Sequence, residues 1–233
     1  MKAPLSIFWL IYGRTAAVVM VCMYAVGTAG HLIPATLPLM LILTPGFLLA
    51  LGALVAAPAV AASGWRFVLW AAGTYACTFL AEAAGVATGA VFGEYEYGPT
   101  LGWAWRGVPL VIAFNWVLVV YGSYGLARRG LQAGGPARGR LTTALLVGLL
   151  ATAFDFLMEP VAMRLDYWRW PGDRVPLQNY AAWFAIAAAA AAVHPRDRTG
   201  SPTDHAARLA GLYVLVQAVF FLVLRVVWHW QGG

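Results

Sequence analysis

Charge is what this sequence lacks most. Only 10% of its 233 residues are Asp, Glu, Lys or Arg, while 62% are hydrophobic; a soluble domain carries ~25% charged residues. No core of this size hides so much apolar surface from water, so the solvent is lipid. Lysine is nearly missing too. Lys2 is the only one, which excludes a retinal Schiff base inside a helix. Cysteine is scarce: Cys22 and Cys77 both lie in apolar runs and suggest neither a disulfide framework nor a zinc site. There is no C-x-x-C-H for haem, and His31, His194, His205 and His229 share no common depth; His194 and His205 read as interfacial loop residues. The net charge of +6 does not call for nucleic acid, because excess arginine in a membrane protein marks cytoplasmic loops.

Seven apolar runs come near the ~20 residues a bilayer demands. They lie at about 10–32, 36–61, 66–90, 108–127, 141–159, 177–194 and 207–229. Lipid offers backbone groups no partner, so these spans are expected to be helical. The expected fold is all-α: one polytopic integral membrane bundle of about seven transmembrane helices, as a single domain over 1–233. The first run is too long for a signal peptide and is kept as a helix. Gly85 and Gly89 form a GxxxG pair expected to serve helix packing. Arginine sets the orientation. Placing Lys2, Arg14, Arg66, Arg128, Arg129, Arg138, Arg140, Arg196, Arg198 and Arg208 inside leaves Arg106, Arg164, Arg169 and Arg174 outside. Ten against four puts the N-terminus in the cytoplasm and the C-terminus outside, in the cell (inner) membrane. Arg225, within the last run, remains unassigned.

This topology gathers the polar residues of the spans. Glu82, Asp155 and Glu159 fall near the outer ends of their helices. Asn115 and Asn179 fall near the outer starts of theirs, and His31 closes the first helix on the same side. The inner halves hold almost no such groups. Asp155 and Glu159 stand four residues apart and share one helix face. A charge at the bilayer centre costs ~2.5–3.5 kcal/mol on insertion scales, and two like charges side by side oppose ionisation further. At least one acid is therefore expected to be protonated at neutral pH. The bland alternative for Glu159 is a solvated helix end just before Pro160.

The outer loops, FGEYEYGPTLGWAWRGVP and RLDYWRWPGDRVPLQNYAAW, are crowded with aromatic residues. An interfacial belt explains part of this, but a belt belongs on both sides, and the inner loops have scarcely any aromatics after Trp65. Aromatic faces also stabilise cations. Beside buried acids they suit chemistry that passes through a carbocation.

Several words in this region carry a resemblance. They are G-x-Y-x-Y (Gly93, Tyr95, Tyr97), Leu101-Gly102, GVPL at 107–110 with Asn115-Trp116, D-x-x-x-E-P (Asp155, Glu159, Pro160), W-x-W (Trp168, Trp170) and VPLQNYAAW at 175–183. Together they resemble the carotenoid-biosynthesis membrane proteins that include CruF-type carotenoid hydratases and bisanhydrobacterioruberin hydratases. Two departures stand out. Glu159 occupies a position where that family often has Asp, and GDRVPLQN replaces a fuller G-x-x-G-I-P-x-x-N.

The resemblance implies addition of water to the terminal double bond of an acyclic (ψ) carotenoid end, with no redox cofactor or metal. The substrate would be lycopene, γ-carotene or a C50 precursor, taken from the lipid bilayer, with other carotenoid-pathway enzymes as further partners. Asp155 is the first candidate for the acid and Glu82 the next. Glu159 or Glu82 would hold the water, and Asn115 and Asn179 would orient it. Tyr95, Tyr97, Trp168 and Trp170 would form the cation-stabilising wall, with Trp116, Trp183 and His31 also contacting substrate. A C40 chain is about as long as the ~30 Å hydrocarbon layer, so it is expected to lie along the bilayer normal with one end in the site. Capture of the same cation by an internal double bond would make a lycopene-cyclase-like enzyme instead. Intramembrane acids also suit a proton-coupled transporter of small solutes, although transport sites usually lie at the midplane beside broken helices. Magnesium-diphosphate chemistry normally needs a second acid-rich motif, which is missing.

Overall fold

In the computed structural model, residues 3–133, 139–195 and 201–232 are described, with the side chains of 3–10 and 132–133 left aside. Lys2, Arg138, Arg196 and Arg198, used above for orientation, lie outside the described residues. The described residues form an all-α bundle of seven helices: α1 (Ala3–Leu32), α2 (Leu37–Ser63), α3 (Trp65–Thr88), α4 (Leu110–Ala133), α5 (Arg140–Arg164), α6 (Leu177–Ala192) and α7 (Pro202–Trp230). Six are long and apolar enough to cross a membrane. The exception is α6, whose 16 residues rise only ~24 Å, short of the ~30 Å hydrocarbon layer. It is held instead by extensive packing against α5.

The helix α4 is the axis of the bundle. In its span 72% of the apolar window is buried, against 22% in α1 and in α2, which face lipid. It packs most closely on α7. A Cβ at Gly122 or Gly125 would run into the backbone of α7 at Ala210 or Ala207. This is a close helix approach built on glycine, and the GxxxG of α3 is something else. Gly89 ends α3 in a left-handed turn (φ +66°), donating its N–H to Gly85 O, while the missing Cβ of Gly85 leaves room for Phe92 and the Tyr95 hydroxyl.

Three further residues depart from expectation. The helix α5 does not stop at Glu159 but runs through Pro160 to Arg164. Proline removes the N–H that would bond the carbonyl four residues back, which is Phe156. Arg225 Nη1 donates to that carbonyl at 3.3 Å and its guanidinium lies over the Phe156 ring. This gives Arg225 its place and turns Glu159 from a helix end into an interior residue. His194 is not an interfacial loop residue. It is buried just past α6 among Trp70, Tyr121 and Tyr124, with ring centroids 4.6, 5.5 and 4.1 Å away.

At the end of the bundle where α3 and α5 finish and α4 and α6 begin, two loops meet. Strand β1 (Glu96–Tyr97) pairs antiparallel with β4 (Trp168–Arg169), matching Glu96 with Arg169 and Tyr97 with Trp168. A hairpin of β2 (Ala104–Trp105) and β3 (Val108–Pro109) leads into α4. Gly98 donates its N–H to Tyr167 O at 2.9 Å, and a Cβ there would strike the backbone of Asp166. Only glycine lets the two loops close to this distance.

Candidate active site

Strand periodicity aims this lid. Alternate residues of a strand point to one face, so Tyr95 and Tyr97 turn the same way, as do Trp168 and Trp170. The outward partners Glu96 and Arg169 form an exposed ion pair at 3.5 Å, of a kind that adds little stability. The inward four meet one another: Tyr95 lies 5.0 Å from Trp170 and Tyr97 6.0 Å from Trp168, centroid to centroid. Beneath them is a cavity of about 40 Å³.

Three carboxyls from two helices project into it. Glu82, Asp155 and Glu159 are 4%, 0% and 2% exposed. Glu82 is held by neutral donors only: Tyr95 and Tyr97 hydroxyls to Oε2 at 2.5 and 2.7 Å, and the Trp116 indole to Oε1 at 2.8 Å. Both phenols are pushed above the ordinary tyrosine range, first by burial and then by the neighbouring Glu82, so they remain donors. Glu159 Oε2 accepts two indole N–H groups, from Trp168 and Trp170, each at 2.8 Å. The Asn179 amide bridges the other two acids, 2.7 Å from Asp155 Oδ2 and 3.3 Å from Glu159 Oε1. Of the six carboxyl oxygens, Asp155 Oδ1 alone has no partner.

The donors are placed by helix geometry. Asn179 stands in the first turn of α6, opposite the Asp155 face of α5. Trp183, one turn on, stacks on Trp116 of α4 with centroids 3.7 Å apart. Asn115 lies half-buried at the rim, where the Tyr213 hydroxyl donates to its Oδ1 at 3.3 Å. Among the described residues that line the cavity, none is cationic. A low-dielectric chamber cannot carry three uncompensated negative charges, so it holds at least one proton.

Eleven of the twelve residues singled out from sequence meet around this one cavity. His31 does not. It lines a second, adjoining cavity, where its Nδ1 bonds to Gly27 O at 2.7 Å. Trp103 and Trp105 are exposed and lie apart from both. Phe92, Ile112 and Met158 complete the wall; as ordinary apolar residues they carried no signal of their own. Nor could sequence show that the Tyr and Trp side chains act as hydrogen-bond donors to the acids as well as aromatic faces. Among the described residues no group of three or more His, Cys, Asp or Glu side chains is gathered as a metal site.

The family model described as carotenoid biosynthesis protein matches residues 43–232 of the chain. No curated protein and no solved structure gives a match.

Proposed function

The chain belongs to the carotenoid biosynthesis protein family, and on that premise we propose that it hydrates the terminal double bond of an acyclic carotenoid end. Membership carries the role in the pathway; the chamber carries the chemistry. Such an end is a trisubstituted alkene. Asp155 gives its proton to the less substituted carbon, and the alkene's electron pair forms the new C–H bond. A tertiary cation is left on the neighbouring carbon. Water bonds to it through oxygen, and a carboxylate takes the surplus proton, giving a tertiary alcohol. The proton returns from that carboxylate to Asp155, so the cycle balances without an oxidant or reductant.

The single observation behind this assignment is the unequal treatment of three buried acids. Glu82 and Glu159 each accept three hydrogen bonds, the pattern that favours a carboxylate. Asp155 accepts one and keeps Oδ1 free. A hydrogen on that oxygen is the one available to an incoming alkene. Glu159 shares the Asn179 amide with Asp155 and takes the proton from water. Glu82, held from α3, places a second negative charge near the cation. The stacked Trp116 and Trp183 rings and the indoles above give it aromatic faces. Asn115, at the rim, orients the water.

The arginine bias supports a chamber towards the outer leaflet of the inner membrane, with the N-terminus cytoplasmic. Expression in a lycopene-producing host tests the chemistry. The product should be heavier by one water, and Asp155→Asn should lower its formation by ~10²–10⁴-fold, the usual worth of general acid catalysis. An isomer of unchanged mass would mean ring closure instead, and a variant as active as the wild type would remove Asp155 from the reaction.

A further inference from the structure

Beside the acid chamber lies a larger, almost wholly apolar cavity of about 170 Å³, between α1, α2 and α7. The two share Ile112, Asn115, Met158 and Trp168 as a common wall. On its far side the cavity is bounded by Met23 and Val26 of α1 and Leu43 of α2, which are 45%, 68% and 51% exposed. These are lipid-facing residues of two helices that expose most of their length. The cavity therefore runs from the membrane to the rim of the chamber.

We propose that this cavity is a lateral portal, through which an isoprenoid chain enters from the lipid and in which its arm lies while its end occupies the acid chamber. The proposal rests on the hydratase reading for the identity of that end. Several observations carry it. The acid chamber, at about 40 Å³, has space for an end group but not for a long polyene. The adjoining cavity is about four times larger. Along α2 its wall runs from Met40 to Leu48, a rise of ~12 Å. That is less than half the ~30 Å hydrocarbon layer. A C40 chain thus leaves sideways between α1 and α2 instead of standing within the protein along the bilayer normal, and its second end remains in lipid.

Gly27 supplies the test. It lines the cavity, and a Cβ built there meets nothing within 4 Å, so a side chain can start there without a clash and Gly27→Trp puts its bulk at the portal. Gly73→Trp, on exposed α3 surface with equally open space, is the control for bulk, and Leu43→Trp fills the opposite lip. Two probes are hydrated in parallel: lycopene, and a short acyclic isoprenoid of ten carbons with the same terminal alkene. Both portal variants should lose lycopene turnover by about tenfold or more, as pocket misfits do, and keep the short probe within about twofold, as surface changes do. Gly73→Trp should keep both. Equal effects on the two probes, or lycopene turnover at the wild-type rate, would overturn the portal.

A second readout does not depend on chemistry. Asp155→Asn protein purified in detergent from the lycopene-producing host should retain pigment, seen by its visible absorbance, and adding Gly27→Trp should remove most of it. Pigment retention sensitive to Gly27 without hydration by the wild type would fail the hydratase reading alone. Normal hydration of lycopene by Gly27→Trp would fail the portal alone.

Discussion

Replacing Trp168 and Trp170 by Phe removes two N–H groups and leaves two aromatic rings in place. Both groups point at one atom, Glu159 Oε2, at 2.8 Å. An indole nitrogen only donates, so this oxygen has no free lone pair and carries no proton of its own. If Glu159 works as a carboxylate, each donor is worth ~1.5–3 kcal/mol; if it is a neutral acid, each is worth ~0.5–1.5 kcal/mol. The doubly substituted protein should therefore lose about 3–6 kcal/mol in the charged case, up to the point at which Glu159 takes up a proton instead. Past that point the cost appears in catalysis, because a protonated Glu159 cannot accept a proton from water. The assay is a double-mutant cycle: Trp168→Phe, Trp170→Phe and their pair, each with Glu159 and with Glu159→Gln, followed by unfolding in detergent and by hydrated product formed in host membranes. The indoles should couple to Glu159 by more than about 1.5 kcal/mol. Coupling below ~0.5 kcal/mol, together with unchanged product, would mean that these donors hold no charge, and the division of labour among the acids would fall with it.

Three further outcomes follow from the fold. Arg225→Leu should cost ~1 kcal/mol by stranding the Phe156 carbonyl, and most of that loss should vanish in Pro160→Ala, which restores the helical N–H; an equal loss in both backgrounds would show that Arg225 acts elsewhere. Gly125→Ala should destabilise the protein by ~1–3 kcal/mol, since its Cβ meets the Ala207 carbonyl of α7, whereas Gly130→Ala, with open space around it in the same helix, should stabilise by up to ~1 kcal/mol in the same unfolding assay. Burial pushes the His194 imidazole down to about 3, so the fold favours its neutral form. The unfolded chain takes up a proton near pH 6.5, and stability should fall by ~1.4 kcal/mol per pH unit as the pH drops from 6.5 towards 3. A His194→Phe variant should lack that dependence across the same window.

The bundle was legible in the sequence because lipid makes a crude and strict demand. A run of about 20 apolar residues can hardly be anything but a helix, and each of the seven runs is one, although ends differ by up to seven residues and α6 is too short to span. The ends were less legible. Pro160 reads as a stop, and only the distant Arg225 shows why α5 passes through it. Glu82, Asp155 and Glu159 stood out because acids are rare in such runs, and the inferred helix directions brought them to one end. Their hydrogen-bond partners stood in two loops whose strand pairing depends on a close approach at Gly98. No local pattern announces that contact. His194 was misplaced for a related reason: a histidine two residues beyond a helix looks solvated until three aromatic side chains from other helices close around it.

A chamber whose wall offers three acids and no base has a selectivity of its own. It disfavours any anion at its threshold and attracts whatever bears a positive charge on a greasy tail. On the proposed hydration, an isoprenoid ending in a tertiary amine, protonated in water, would imitate the proposed cationic intermediate and lodge where it would form. The feature that readies the site for an alkene thus also exposes it to poisoning by amphiphilic amines, and such compounds could serve as reagents for capturing the enzyme with its substrate path filled.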